Sequence, residues 1–311
     1  MDKKTAISRS QNRVRRKVGQ LVDGKVTGAS QLRPLFDEIK HQEMEAYFFG
    51  GMLRNFSLYS QFIAPRDIDI VVASGLEGLA DRFSKNLVRR NSFGGLKLEF
   101  GKHQIDIWQL DRTWGFTQGL ISPARIEHLP KTTFLNVDAL AIEIHPVKGS
   151  GRKIYEYGFF DSLLSKTIEI NLHENPYPEL CVVRAVMIAL STGFALGPKL
   201  VDYIVRYLHD LEPELFEIVQ RKHYGRVKKS AEELLVMRAA LSNEATVSRR
   251  FAANLLGHEV LFFDYDKTTQ TQAPAIVPVL AAYNDRVGEI EAFEHWDRFM
   301  SHLLLDETSC F

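Results

Sequence analysis

Asp67 and Asp69 stand two residues apart in the run Arg66-Asp-Ile-Asp-Ile-Val-Val. Side chains alternate faces along a strand, so the two carboxylates share one face while Ile68 and Ile70 share the other. Adjacent carboxylates repel, and burying them is costly unless a cation sits between them. A hard divalent ion with oxygen ligands, Mg2+ above all, suits such a pair. Chemistry with two metal ions calls for a further carboxylate from a neighbouring strand. Asp106, in Gln104-Ile-Asp-Ile-Trp108, has the parity of Gln104 and Trp108 and lies opposite Ile105 and Ile107. A lone strand aspartate most often faces solvent; following Asp-x-Asp and a hairpin, the ligand reading is favoured. Upstream stands Gly50-Gly51, followed by Met52-Leu53-Arg54. Glycine lets backbone approach a phosphate closely, and a helix N-terminus behind it favours negative charge. Together these residue types suit metal-assisted phosphoryl transfer.

Positioning these groups requires strands on both sides of the glycines. Tyr47-Phe48-Phe49 reads as the first, the segment from Met52 as a helix, and Asp67–Val72 as the second. Gly95–Phe100 and Gln104–Trp108 both alternate, and Gly101-Lys102-His103 between them reads as a turn, so the pair is a hairpin. A helix is expected over Pro34–Glu45. Another is expected over Leu76–Arg90, with Leu79, Phe83 and Leu87 on one face. Pro123–Leu129 reads as a short helix or turn, Ala139–His145 as a strand, and Lys148–Arg152 as a Gly-Ser turn. Composition changes at Asn175-Pro-Tyr-Pro178, where a domain boundary is expected. Helical patterns follow over Glu179–Ser191, from Gly197-Pro198 through Leu208, over Ala231–Leu256 and over Ile290–Leu305, with a polar loop at Gln270–Pro278.

At 311 residues the chain is long enough for two domains with cores of their own. Its 39 Lys+Arg balance 39 Asp+Glu, which excludes an overall basic field; any nucleic-acid binding must come from local patches. Two such patches exist, Arg13 to Lys17 and Arg221 to Lys229. A basic run is most often a solvated face; within the second, Arg226, Lys228 and Lys229 are the candidates for gripping a polynucleotide backbone. Cys181 and Cys310 match no metal-ligand spacing and suit a reducing, cytoplasmic setting. No apolar run is long enough to span a bilayer, and the polar N-terminus does not read as a signal peptide.

The Gly50-Gly51-Met52-Leu53-Arg54 turn, the Arg66-Asp67-Ile68-Asp69 strand and the hairpin bearing Asp106 resemble the head domain of the polymerase-beta nucleotidyltransferase superfamily. The branch they resemble most is that of CCA-adding enzymes and bacterial poly(A) polymerases. The resemblance covers roughly Tyr47 to Leu200. It continues through Ile154-Tyr-Glu-Tyr-Gly-Phe-Phe-Asp-Ser-Leu163, Val182-Val183-Arg184-Ala185 and Thr192-Gly-Phe-Ala-Leu196, the last two similar to a first neck helix. It implies an α+β fold: a basic N-terminal arm or helix (1–31), a nucleotidyltransferase head with a mixed β-sheet flanked by helices (32–175), and a mostly α-helical neck and body (176–311). It also implies Asp67, Asp69 and Asp106 as catalytic ligands of two Mg2+ ions. Gly50, Gly51, Arg54, Arg66, Arg112 and Arg184 would hold an NTP, and the implied acceptor is the 3′ end of a tRNA-like RNA. For Arg112, pairing with Asp111 is an equal alternative, and for Arg184 a salt bridge such as one to Glu179.

Departures limit the likeness. Asn55 replaces an Asp that follows the family's turn Arg. The family's Arg-Arg-Asp-Phe-Thr-x-Asn motif falls at Thr132–Ala141 without its basic pair, and Cys181 stands where the family repeats an Arg. Two other classes therefore stay open. One is a nucleotidyltransferase acting on a protein, small molecule or nucleotide; the other is a non-catalytic nucleotide sensor.

Overall fold

A computed structural model describes residues 2–59, 64–90, 94–175, 177–210 and 212–242, and strands at 249–254, 259–264 and 276–277. The chain divides into two compact units, with the division between Asp161 and Ser162.

The first unit opens with α1 (Lys3–Val22), capped by Asp2, whose Oδ1 accepts from Thr5 N at 3.0 Å. Val14, Val18 and Leu21 recur at helical spacing and are fully buried. Polar residues of the same helix are used internally. Arg13 Nη1 donates to Ser57 O (3.3 Å) and Lys17 Nζ to Tyr59 O, the carbonyls at the end of a later helix. That is where a helix dipole favours cations. The sequence reads this stretch as a basic arm or helix with a solvated face, but Arg13 and Lys17 are tied to the rest of the first unit. α2 (Arg33–His41) buries Leu35, Phe36 and Ile39.

β1 (Ala46–Phe49) then leads through Gly50 into α3 (Gly51–Leu58), followed by β2 (Asp67–Val72) and α4 (Leu76–Arg82). β3 (Leu87–Arg90), β4 (Leu96–Phe100) and β5 (His103–Gln109) come next. After the short helix α5 (Trp114–Thr117) follow β6 (Leu140–Glu143) and β7 (Ile154–Glu156). The helix expected to reach Arg90 therefore ends at Arg82. Leu87-Val-Arg-Arg alternates in exposure and pairs antiparallel with β4, taking the period of a strand.

These strands form one seven-stranded mixed sheet in the order β3-β4-β5-β2-β1-β6-β7, with β2 and β5 parallel at its centre. One face is apolar: Phe48, Ile68, Ile70, Leu98, Ile105 and Ile107 are fully buried. Helices cover it, Phe36 meeting Phe48 edge-on at 5.6 Å and Phe83 meeting Phe100 at 5.3 Å. The other face is divided. Tyr47, Phe49, Val71 and Trp108 cluster with Phe116, Ile126 and Leu129 at one end, and the charged positions of the same strands lie beyond them.

The dividing point falls inside α6 (Phe159–Ser165), ahead of the proline pair where composition changes. The second unit holds β8 (Thr167–Ile168), α7 (Pro178–Thr192), β9 (Ala195–Leu196), α8 (Pro198–Asp210), α9 (Pro213–Tyr224) and α10 (Ala231–Ser242). β10 (Arg249–Asn254), β11 (Glu259–Asp264) and β12 (Ile276–Val277) complete it. β8 pairs parallel with β9, binding the residues just after Asp161 to the helical part. Of the helix expected over Ala231–Leu256, Ala231–Ser242 is helical, whereas Arg249–Asn254 is a strand, held as β10 by antiparallel pairing with β11. A five-stranded sheet thus accompanies the expected helices. The helix expected over Ile290–Leu305 and Cys310 lie outside the described residues.

Candidate active site

The central parallel pair sets the site. Its register places Asp69 beside Asp106 and Asp67 beside Gln104. Neighbouring strands lie about 5 Å apart, so these side chains crowd one face. All three aspartates are buried, Asp106 at 3 % exposure. Across the hairpin Asp106 faces Lys97, and Lys97 in turn faces Arg89. One row across the sheet therefore reads Arg89, Lys97, Asp106, Asp69: two cations, then two anions. Lys97 is also buried, at 8 % exposure.

Burial pushes the Asp106 carboxyl well above the usual carboxylate range; Lys97 and Arg89 pull it back, while Asp67 pushes it further up. Burial likewise lowers Lys97, against the attraction of Asp106 and Asp67. Arg66, half-buried just ahead of β2, adds its charge to the same neighbourhood. Arg66 O accepts from Gln104 N at 2.7 Å, locking the start of β2 to β5.

The donor atoms on this face are oxygens. Asp106 Oδ2 and Gln104 Oε1 are buried and have no hydrogen-bond partner among the described residues. Carboxylate and amide oxygens are what Mg2+ takes, so Asp67 and Asp69 fit such an ion in chemistry. Among the described residues, no three His, Cys, Asp or Glu side chains are gathered into a cage for a metal.

Gly50 ends β1 above this face. Its φ of 77° and ψ of −146° belong to a region that side chains other than glycine essentially never adopt. A Cβ added there would lie 3.6 Å from Asp69 Oδ2, so the glycine turn and the carboxylate are direct neighbours. Gly51 opens α3 behind it.

The arginines expected around an NTP divide. Arg66 belongs to the cluster. Arg54 is fully buried and paired with Asp138, also buried; Asp138 belongs to the segment where the resembling family carries its basic pair. Arg112 is exposed, and a Cβ on Gly94 would meet its Nη1 at 2.9 Å, so it lies over the approach to β4. Asp111 instead accepts from Gln109 Nε2 at 3.0 Å. Arg184 is buried within α7 of the second unit.

In the basic run, Arg226 is exposed, whereas Lys229 pairs with Glu233 at 2.8 Å and Arg221 with Glu217 at 2.7 Å. Its backbone is held by Gln220, which is fully buried. Gln220 Oε1 accepts from Lys228 N and Lys229 N, and its Nε2 donates to Lys229 O and Phe216 O.

Sequence reasoning passed over Lys97, Gln104 and Asp138. The first had a readable signal: a hairpin closed by Gly101-Lys102 alone, with glycine first and φ of 61°, pairs Phe100 with His103 and so Lys97 with Asp106. Taking His103 into the turn hides that register.

The fold is thus α+β: a mixed sheet flanked by helices, bearing three carboxylates on its central parallel pair with a glycine turn beside them. Solved structures similar to it are tRNA nucleotidyltransferases and CCA-adding enzymes. A tRNA-processing enzyme in an apo form shares 18 % identity at a TM-score of 0.48, over 74 % of this chain and 56 % of that one. A tRNA nucleotidyltransferase complexed with a primer tRNA and an incoming ATP analogue shares 18 % at 0.49, over 67 % and 60 %. The Thermotoga maritima CCA-adding enzyme complexed with tRNA shares 19 % at 0.44, over 73 % and 60 %. The chain thus spans somewhat over half the length of these proteins. No protein-family model and no curated protein matches it. Among the described residues no helix is long and apolar enough to cross a membrane.

Proposed function

We propose that the chain is a Mg2+-dependent nucleotidyltransferase that moves a nucleoside monophosphate from an NTP to an acceptor hydroxyl, with an RNA 3′ end as acceptor. The observation that carries this reading is the in-register pairing of Asp69 with Asp106 on one buried face, with Gly50 against Asp69. Asp67 and Asp69 would hold the divalent ion. When bound, such an ion neutralises phosphate charge and lowers the pKa of a coordinated hydroxyl. The Gly50–Gly51 backbone receives the triphosphate at the start of α3, and Arg66 and Arg112 supply positive charge around it. A bond forms from the acceptor oxygen to the α-phosphorus as the bond to the bridging oxygen breaks, and pyrophosphate leaves. The hydroxyl proton passes to the carboxylate form of Asp106, whose Oδ2 is buried without a hydrogen-bond partner among the described residues.

A second reading keeps the chemistry and changes the acceptor to a protein or small molecule. It is favoured by the pairing of Arg221 and Lys229 with nearby glutamates, which reduces the charge open to a polynucleotide.

Incubating the protein with each labelled NTP, Mg2+ and bulk RNA, and again without RNA, tests the reading. RNA-dependent label incorporation is expected, falling at least about a thousandfold in the Asp67→Ala/Asp69→Ala variant. Incorporation without RNA supports the second reading. No incorporation from any NTP under either condition leaves nucleotide sensing instead.

A further inference from the structure

Lys97 is a charge the proposed chemistry does not use, and it is built into the site. It is buried, its register partner is Asp106, and it is attracted by both Asp106 and Asp67. A lysine beside a carboxylate changes the charge count of the cluster whatever the position of their shared proton. As ammonium and carboxylate, or as amine and carboxylic acid, the pair is neutral. Asp67 and Asp69 then carry the remaining negative charge, which one divalent ion balances.

The charges facing this pair agree. Arg89 is Lys97's register partner on β3, and Arg66 acts on it from ahead of β2. A second divalent ion next to Asp106 would sit beside three positive groups in a low-dielectric environment, where like charges cost far more than in water.

We propose that Lys97 stands in for one of the two divalent ions: it is the resident counter-charge of Asp106, and the site binds a single divalent ion through Asp67 and Asp69. This rests on reading the carboxylates as a cation site for nucleotidyl transfer.

The test is Mn2+ binding to the metal-free full chain without nucleotide, measured by electron paramagnetic resonance of free Mn2+ and by calorimetry. Wild type is expected to bind one Mn2+. Lys97→Met restores the third negative charge and is expected either to admit a second Mn2+ or to tighten the first at least about tenfold, roughly 1.4 kcal/mol. Because that variant buries an uncompensated carboxylate and can fail to fold, Lys97→Met/Asp106→Asn provides a neutral, similarly shaped pair. It is expected to keep one Mn2+ within about threefold of wild-type affinity. Two Mn2+ ions on wild type, or loss of Mn2+ from the double variant, overturn the proposal and leave the nucleotidyl-transfer reading standing. No Mn2+ on wild type at millimolar concentration overturns both.

Discussion

Arg54 shows how one residue's role depends on a partner far along the chain. Its neighbours in the glycine turn suggest a phosphate ligand, yet its guanidinium is enclosed with Asp138. Removing one member of a buried ion pair leaves an uncompensated charge, at a cost of about 3–5 kcal/mol. Asp138→Ala is therefore expected to lower stability by that amount in urea unfolding, and Arg54→Met/Asp138→Leu by much less. Were Arg54 a triphosphate contact, Asp138→Ala would alter NTP affinity while leaving the unfolding midpoint near wild type. The sequence showed the apolar frame around Asp138 but nothing that linked it to Arg54, because the contact crosses 84 positions. The carboxylates were legible for the opposite reason: Asp-x-Asp parity is a local property of a strand.

Among the elements, strands were read well where alternation was strict and poorly where a pattern served both periods. Leu87–Arg90 continues the spacing of Leu79 and Phe83, and only pairing with β4 makes it a strand. The N-terminus of α8 depends on a partner equally hard to foresee. Glu169, following β8, accepts from Lys199 N at 3.2 Å and Leu200 N at 2.9 Å, capping a helix some thirty residues later. A Cβ on Gly197 would collide with that same carboxylate. Loss of the cap in Glu169→Ala is expected to cost about 1–2 kcal/mol. Gly197→Ala is expected to destabilise by more in wild type than in the Glu169→Ala background, with a coupling of at least about 1 kcal/mol in a double-mutant cycle. Additive losses would show that the collision is relieved elsewhere. Burial raises the Glu169 carboxyl above its ordinary value. Its contribution to stability is therefore present at low pH and declines as pH rises from the unfolded-state value through the folded one.

For the whole molecule, equal numbers of acids and bases mean that any polynucleotide must be held by a local patch. Each phosphate contact to a single strand contributes about −0.7 to the slope of log affinity against log salt. Arg226→Glu/Lys228→Glu/Lys229→Glu is expected to flatten that slope by one to two contacts, roughly 0.7 to 1.4, with NTP affinity within about twofold of wild type. An unchanged slope would remove the loop from the acceptor surface. Gln220 gives this experiment its clarity. Its amide accepts from Lys228 N and Lys229 N and donates to Lys229 O, all main-chain groups of the loop. Such a keystone separates contour from part of the cargo: an exposed side chain such as Arg226 can be replaced by an acid, a neutral group or an aromatic while Gln220 holds the main chain. What such a loop presents to its surroundings can change with the ornament, on an arch that stays standing.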